Sequence, residues 1–308
     1  MFTGDLRRAV LEALAYSDIF EFPLRLEEIH RYLPLRASVE QVEDALRSLD
    51  RQVGTQAGYY FLTGRAASVE IRSQREHYSR TLLPLALKYG RLLGSLPFIR
   101  MVALTGSLAV MNVSKNVDFD YMLVTVPGRL WTGRAFALLF NRITKIFGYT
   151  LCPNLIVAET ALEWPGHDLY SARELYQMIP ITGMDVYHKL MNANAWAKEF
   201  LPNGSHNFSR GHKATDPTGV LRKVTTTFQA LLEFPLRGKP GDRIEQWEMA
   251  RKITRFSKQD GFGDETVFNA AVCQGNFHHH RKWTREIFEK KFTDMGSHLS
   301  EEVLEARI

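Results

Sequence analysis

The residues best suited to chemistry lie in one short segment, where ten residues separate a Gly-Ser pair from an Asp-Phe-Asp triplet. The residues of interest are Gly106, Ser107, Asp118 and Asp120. Alternate residues of a strand point to the same face, so we expect Asp118 and Asp120 to project together while Phe119 is buried on the opposite face. Two adjacent carboxylates repel each other unless a cation lies between them, and Mg²⁺ prefers such oxygen ligands together with substrate phosphates. The pair is therefore a candidate magnesium site.

The Gly-Ser pair has the properties of a phosphate-binding turn. Gly106 has no side chain, which allows the backbone to approach a ligand closely. Ser107 is predicted to begin a helix, and the free amide groups at the start of a helix favour phosphate. The sequence thus predicts that a phosphate site and a metal site are neighbours.

The elements around this segment must bring the two sites together. A short apolar strand precedes Gly106, and a brief helix, a loop and a second strand carrying Asp118 and Asp120 follow it. A helix from about 129 to 147 leads to a third strand at about 151–159, which is rich in β-branched and aliphatic residues. This order predicts a small mixed sheet.

The strand, the Gly-Ser turn and the Asp-x-Asp strand resemble the nucleotidyltransferase superfamily with the polymerase-beta-like palm, over about residues 98–160. The resemblance implies that Gly106 and Ser107 hold the triphosphate of an NTP, with ATP as the default donor. It also implies that Asp118 and Asp120 bind Mg²⁺, which activates the attacking hydroxyl and stabilises the leaving pyrophosphate. The expected reaction is transfer of a nucleoside monophosphate to a hydroxyl acceptor, which could be RNA, a protein side chain or a small molecule.

One departure from the family pattern concerns the third carboxylate, whose equivalent stretch here begins at Asn154. We expect Asn154 to face the two Asp residues across the sheet, where its amide oxygen could contact a ligand but could not act as a general base. Glu159, five residues later, falls on the opposite strand face by parity. Three possibilities stay open: a two-carboxylate enzyme, an enzyme that uses another acid, or a catalytically inactive relative that binds nucleotide or nucleic acid as a regulatory module.

A further basic residue is a weaker candidate for the phosphate site. Lys115 lies in the loop just before the Asp-x-Asp strand, from which its ammonium group could reach a triphosphate. A solvated loop lysine is the simpler interpretation of the same residue.

The first 67 residues resemble a winged helix-turn-helix domain. Apolar residues at helical spacing predict three short helices, and Ser38 followed by Gln41 is a capping-box pattern at the start of the third. A hairpin with an aromatic strand at 59–62 follows. The third helix, SVEQVEDALRSLD, carries four acids and one Arg, which would repel the DNA phosphates that supply most of the affinity. We therefore do not expect sequence-specific DNA binding by this module, and a scaffold or protein-contact role is favoured.

The composition is that of a globular protein of about two or three domains, with 308 residues, 45% apolar and 24% charged. We predict an α+β chain with the winged helix at 1–67, a connector helix bent at Pro84 followed by the palm at 68–165, and a helical domain at 166–308. Residues 205–258 hold eleven Lys or Arg against five acids. This basic segment is either a surface for a polyanion such as RNA or the solvated side of ordinary helices.

The chain has no features of a secreted or membrane protein. No stretch reaches the roughly 18 uncharged apolar residues of a membrane helix, and the first residues lack the pattern of a secretory signal. Only Cys152 and Cys273 are present, so there is no disulfide framework. We expect a cytoplasmic protein that does not bind membranes.

Overall fold

The fold is mixed α/β and is built around one central six-stranded sheet. The computed structural model describes residues 2–114, 118–205, 227, 229–263, 265–277 and 279–305, with side chains described between 5 and 293. The strands of the sheet are β3 (Ile99–Leu104), β4 (Asp118–Thr125), β5 (Thr150–Ala158), β6 (Ile179–Thr182), β7 (Thr266–Phe268) and β8 (Val272–Gly275). They lie side by side in the order β6-β3-β4-β5-β8-β7.

The two middle strands, β4 and β5, are parallel, and every other neighbouring pair is antiparallel. Parallel neighbours need a long crossover, which helix α6 (Leu130–Ile146) supplies. Helix α4 (Ala67–Gly94) covers the same face as α6, over a core that includes Phe119, Tyr121 and Leu123. That face is therefore a conventional buried layer of a sheet covered by helices.

The other face of the sheet is covered by short helices and by the N-terminal module. The helices are α7 (Leu169–Gln177), α8 (Met184–Ala193) and α9 (Ala197–Phe200), whereas the short helix α5 (Gly106–Ala109) places Leu108 and Ala109 in the core shared with α4 and α6. Met122 and Val124 of β4 belong to the same hydrophobic cluster as residues of α7 and α8 and of the first fifty residues. The N-terminal module thus shares a core with the sheet and is not joined to it by a linker alone.

The N-terminal module contains the elements that its sequence predicts. They are α1 (Phe2–Asp18), α2 (Leu26–Arg31), α3 (Val39–Arg47), and the antiparallel strands β1 (Val53–Gln56) and β2 (Tyr59–Leu62). The predicted capping box at the start of α3 is present: the Gln41 amide donates to Ser38 Oγ at 3.3 Å, and the Ser38 amide donates to Gln41 Oε1 at 2.8 Å. Local sequence signals were sufficient here because each contact spans few residues.

A buried arginine of α7 fastens this module to the rest of the chain. Arg173 is 3% exposed, and its guanidinium carbon lies 3.9 Å from the ring centroid of Tyr16 and 4.6 Å from that of Tyr32. It donates hydrogen bonds to Ser17 Oγ at 3.0 Å and to the Ala13 carbonyl at 3.4 Å. Packing of the guanidinium against two aromatic rings compensates for its burial and fixes α1 against α7.

The region beyond residue 166 differs from the all-helical prediction. It supplies strands β6, β7 and β8 to the central sheet, in addition to α10 (Lys239–Phe256) and α11 (His280–Glu305). These strands are three or four residues long, too short to show a period of two, and they are fixed by pairing with strands that are distant in sequence. Much of the basic segment at 205–258 lies outside the described residues, which within it are 205, 227 and 229–258.

The connector helix α4 runs without interruption through Pro84, from Ala67 to Gly94.

Across the part of the chain that the structure describes, no helix combines the length and the apolar character needed to cross a membrane.

Candidate functional site

The acidic pair lies at the beginning of β4, on the sheet face that carries α7. Asp118 is exposed and Asp120 is partly buried. Phe119, between them, is 1% exposed and stacks on Tyr149 beneath the opposite face, with ring centroids 5.9 Å apart. The alternation expected from the sequence is therefore present, and both carboxylates line one cavity.

The Gly-Ser turn packs directly against the second carboxylate. Gly106 has φ of +66°, and a Cβ built on it would lie 2.4 Å from Asp120 Oδ2. The amide of Thr105 donates to the Asp120 carbonyl at 2.9 Å, which holds the end of β3 beside the acidic pair. Only glycine satisfies both the positive φ and this close approach without strain. Ser107 is exposed at the same cavity, in a helix of a single turn, α5.

The register of β5 determines which of its residues lie beside the acidic pair. Because β4 and β5 are parallel, Cys152 lies directly opposite Asp120, and Asn154 falls in an irregularity between the pairs Tyr121–Pro153 and Met122–Leu155. The Asn154 side chain is exposed and lines the cavity. Its amide nitrogen donates to Thr105 Oγ1 at 3.3 Å, and Thr105 follows β3, which lies on the other side of β4 from β5. Asn154 is thus near the acidic pair, but the residue paired with Asp120 across the sheet is a thiol.

Sequence reasoning did not identify Glu174, a further acid in this cavity. It lies on α7, the helix that packs over the face carrying the acidic pair, and its carboxylate lines the same cavity. Among the described residues, the Glu174 carboxylate has no hydrogen-bond or ion-pair partner, while Asp120 is close enough to affect its titration. No motif marks Glu174, because it is 54 residues away from Asp120 in sequence and only the packing of α7 brings it to the site.

The cavity has a volume of about 950 Å³ and is lined by several parts of the chain. The sheet supplies the acidic pair and the Gly-Ser turn, α7 supplies Tyr170 and Glu174, and the N-terminal module supplies aromatic residues of α1 and the segments after it. Residues of β8 and α11 complete the wall. The aromatic residues that line the cavity are Tyr16, Phe20, Phe22, Tyr32, Trp164, Tyr170 and Phe277. Small-molecule sites commonly occupy about 300–1,000 Å³, so this volume can hold a nucleotide and part of a second compound.

Burial and mutual repulsion perturb the acids of the site. Burial, reinforced by the charge of Asp118, raises the pKa of Asp120 to about 7, against a smaller lowering by the hydrogen bond from Cys152. Burial and the charge of Asp120 likewise raise the pKa of Glu174 to about 7. Burial and the same carboxylates raise the pKa of Cys152 to about 12, so the thiol stays protonated at neutral pH. A cation bound beside these carboxylates would favour their charged forms.

The fit of a metal ion rests on two protein ligands. Within the described ranges, no group of three or more His, Cys, Asp or Glu side chains is arranged to hold a metal ion. Mg²⁺ commonly takes one or two carboxylates and completes its shell with water and substrate phosphates, and Asp118 and Asp120 match that donor set. Lys115 lies outside the described residues.

The raised pKa of Asp120 leads to a prediction about stability and pH. An unfolded Asp ionises near pH 3.9 and folded Asp120 near 7, so its contribution to the free energy of unfolding is complete below about pH 4 and is lost as the pH rises towards 7. The variant Asp120→Asn has no carboxyl group to ionise at this position, so its free energy of unfolding does not fall in this way. We expect its melting temperature in metal-free buffer to exceed that of the parent increasingly between pH 4 and 7 and by a constant amount above pH 7.5. A difference independent of pH would contradict the perturbed titration of Asp120.

Comparison of the chain with protein-family models, with curated proteins and with solved structures gave no significant match.

Proposed function

We propose that the protein is a Mg²⁺-dependent nucleotidyltransferase, which moves a nucleoside monophosphate from an NTP to a hydroxyl acceptor. The observation that carries this proposal is the contact between Gly106 and the Asp120 carboxylate, because it joins a phosphate-type turn and a cation-type acidic pair in one cavity. The resemblance of the Gly-Ser and Asp-x-Asp pattern to the polymerase-beta-like palm supports the same reading. ATP is the donor expected by that resemblance.

Each residue of the site would have a role that follows from its position. Asp118 and Asp120 would hold Mg²⁺ between their carboxylates, and Gly106 and Ser107 would bind the phosphates with backbone amides and a hydroxyl. When bound, Mg²⁺ would stabilise charge on the phosphate oxygens and on the attacking oxygen. In the transfer, the acceptor oxygen forms a bond to the α-phosphorus, the bond from that phosphorus to the bridging oxygen breaks, and pyrophosphate leaves with the electron pair. The hydroxyl proton passes to a basic side chain or to water.

Asn154 is chemically unsuited to receive that proton, because a neutral amide is not a base. Water at the site would take it, which corresponds to the two-carboxylate enzyme, one of the three possibilities that the sequence leaves open.

The second candidate is a catalytically inactive nucleotidyltransferase-like protein that binds nucleotide or nucleic acid as a regulatory module. The observation that favours it is the pair formed by Asp120 and Cys152, since a protonated thiol stands directly beside the acidic pair where a further carboxylate would strengthen metal binding.

A single experiment separates the two candidates. Binding of ATP and GTP is measured by calorimetry with and without Mg²⁺, and release of pyrophosphate is followed with acceptors of three kinds: total RNA, unfolded protein, and a mixture of small hydroxyl compounds. Transfer predicts Mg²⁺-dependent binding together with pyrophosphate release in at least one mixture. Binding without release in all three supports the regulatory module, and no Mg²⁺-dependent binding contradicts both.

We also propose that the N-terminal module is a winged helix-turn-helix that does not read DNA sequence, in a cytoplasmic protein. Its α3 exposes Glu40, Asp44 and the following Asp50, while Arg47 is already paired with Glu43 at 3.2 Å and with Asp44 at 3.1 Å. DNA phosphates would meet a negative surface with no free cation on α3.

We therefore expect selection from a random duplex pool with the full chain to return no defined motif. The full chain is the appropriate form, because the module shares its core with α7 and α8. Weak binding that disappears with added salt and does not depend on sequence agrees with this expectation, whereas enrichment of one motif, lost on Arg47→Ala, would contradict it.

A further inference from the structure

The wall of the cavity that α7 forms carries a carboxylate that the proposed metal site does not use. Asp118 and Asp120 account for the cation, but Glu174 faces the same space from α7 with no partner among the described residues. The neighbouring Arg173 does not neutralise it, since its guanidinium is held between the rings of Tyr16 and Tyr32 and donates to Ser17 and Ala13. A partly buried carboxylate without a partner favours a ligand that brings a positive charge.

Aromatic side chains line the cavity that this carboxylate faces. Tyr170 lies one helical turn before Glu174 on α7, and Tyr16 of α1 lines the same cavity. Rings beside a carboxylate form a site for an organic cation, because the ring faces attract positive charge while the carboxylate pairs with it.

Two buried hydrogen-bond donors at the same cavity lack partners. The indole N–H of Trp164 and the hydroxyl of Thr284, whose residue is 1% exposed, make no hydrogen bond among the described residues. A buried donor without an acceptor is costly, so a ligand that offers oxygen atoms there would relieve that cost. These groups complement hydroxyl oxygens as Glu174 complements an amine.

The position of the N-terminal module limits the size of what can bind. Aromatic residues of α1 and of the segment after it form one wall, and Arg173 together with the shared core holds that wall in place. A polynucleotide acceptor would also carry phosphates towards the unpaired Glu174, which is unfavourable. Both observations argue against a polymer in this part of the cavity.

We propose that the acceptor is a small hydroxyl compound that carries an amino group, held whole in the cavity with its ammonium group paired to Glu174. The inference rests on the proposed transfer reaction, since it names the acceptor of that reaction. The ammonium group pairs with Glu174, the hydroxyl oxygens meet Trp164 and Thr284, and one hydroxyl reaches the acidic pair. Glu174 thus binds the amine of the acceptor. Because the ammonium group occupies Glu174, the attacking hydroxyl gives its proton to water.

The test is a binding experiment on the full-length protein at pH 8 with Mg²⁺ and without nucleotide. The probes are hydroxyl compounds below about 500 Da in matched pairs that differ by one amino group, such as glucosamine with glucose and ethanolamine with ethylene glycol. Retained compounds are identified by mass spectrometry after ultrafiltration. We expect at least one amino member to be retained about tenfold or more over its neutral partner, the ratio that one charged hydrogen bond supports.

Variants connect the preference to Glu174. Glu174→Gln should remove the amino preference, Glu174→Asp should keep part of it, and Glu159→Gln, an acid at the end of β5 outside the cavity, should leave it unchanged. Melting temperatures establish that each variant is folded. Equal retention of both members, retention of none, or an unchanged preference in Glu174→Gln would overturn the inference.

A second readout separates this inference from the proposed function. The protein is incubated with Mg²⁺ and ATP labelled at the α-phosphate, in the presence of the retained amino compound, total RNA or unfolded protein. Label on the amino compound supports the inference, and label only on RNA or protein overturns it. If the amino preference is present but no Mg²⁺-dependent ATP binding occurs, the proposed function fails; if ATP binds normally and the preference is absent, the acceptor assignment fails.

Discussion

Replacing Gly106 with alanine is expected to abolish Mg²⁺-dependent nucleotide binding. The new Cβ would lie 2.4 Å from Asp120 Oδ2, so the carboxylate must move out of the position that it shares with Asp118. The positive φ adds about 1 kcal/mol of backbone strain, and the overpacking adds about 1–3 kcal/mol. We expect a fall in the melting temperature together with loss of any calorimetric signal for ATP in Mg²⁺.

A matched glycine separates strain from contact. Gly148 also has a positive φ, +83°, but nothing lies within 4 Å of the position that its Cβ would take. Gly148→Ala should therefore show the strain alone, with a small drop in melting temperature and unchanged nucleotide binding. Equal nucleotide binding by Gly106→Ala and Gly148→Ala would show that the close approach to Asp120 has no part in the site.

The double variant Asp118→Asn with Asp120→Asn is expected to lose Mg²⁺-dependent nucleotide binding while it stays folded. Loss of an outer partner of a metal ligand costs about 10–100-fold in affinity, so loss of both proposed ligands should cost more than about 100-fold. Thermal shift measures the same effect, since a ligand at 100 times its Kd stabilises the folded state by about 2.7 kcal/mol. Added Mg²⁺ and ATP should raise the melting temperature of the parent and leave that of the double variant unchanged.

The control for this experiment removes the same charge elsewhere. Asp44 and Asp50 are exposed in and after α3 and lie outside the cavity lining, so Asp44→Asn with Asp50→Asn should bind nucleotide as the parent does. In metal-free buffer at pH 8 the site variant should also be at least as stable as the parent, because it removes the repulsion that raises the pKa of Asp120. A site variant that still binds ATP with Mg²⁺ at parental affinity would refute the assignment.

Local patterns in the sequence determined the elements and the direction of the acidic side chains. The alternation Asp118, Phe119, Asp120 fixes which residues share a face, because a strand has a period of two. The capping box at Ser38 and Gln41 fixes the start of α3 through contacts three residues apart. The Gly-Ser turn likewise follows from residue types that are adjacent in the chain. Each of these features depends on neighbours that the sequence shows directly.

The tertiary structure decided which distant residues complete the site. Cys152 lies opposite Asp120, and Asn154 falls in an irregularity between Pro153 and Leu155, because the parallel register of β5 is set by the packing of whole strands. The strands after residue 166 join the sheet through pairing at its edges. No short apolar run in the sequence predicts this pairing. Glu174 reaches the cavity only because α7 packs over the sheet, with Arg173 fixed between two rings of the N-terminal module. Such contacts depend on the free energy of the complete core, to which residues far apart in sequence contribute together.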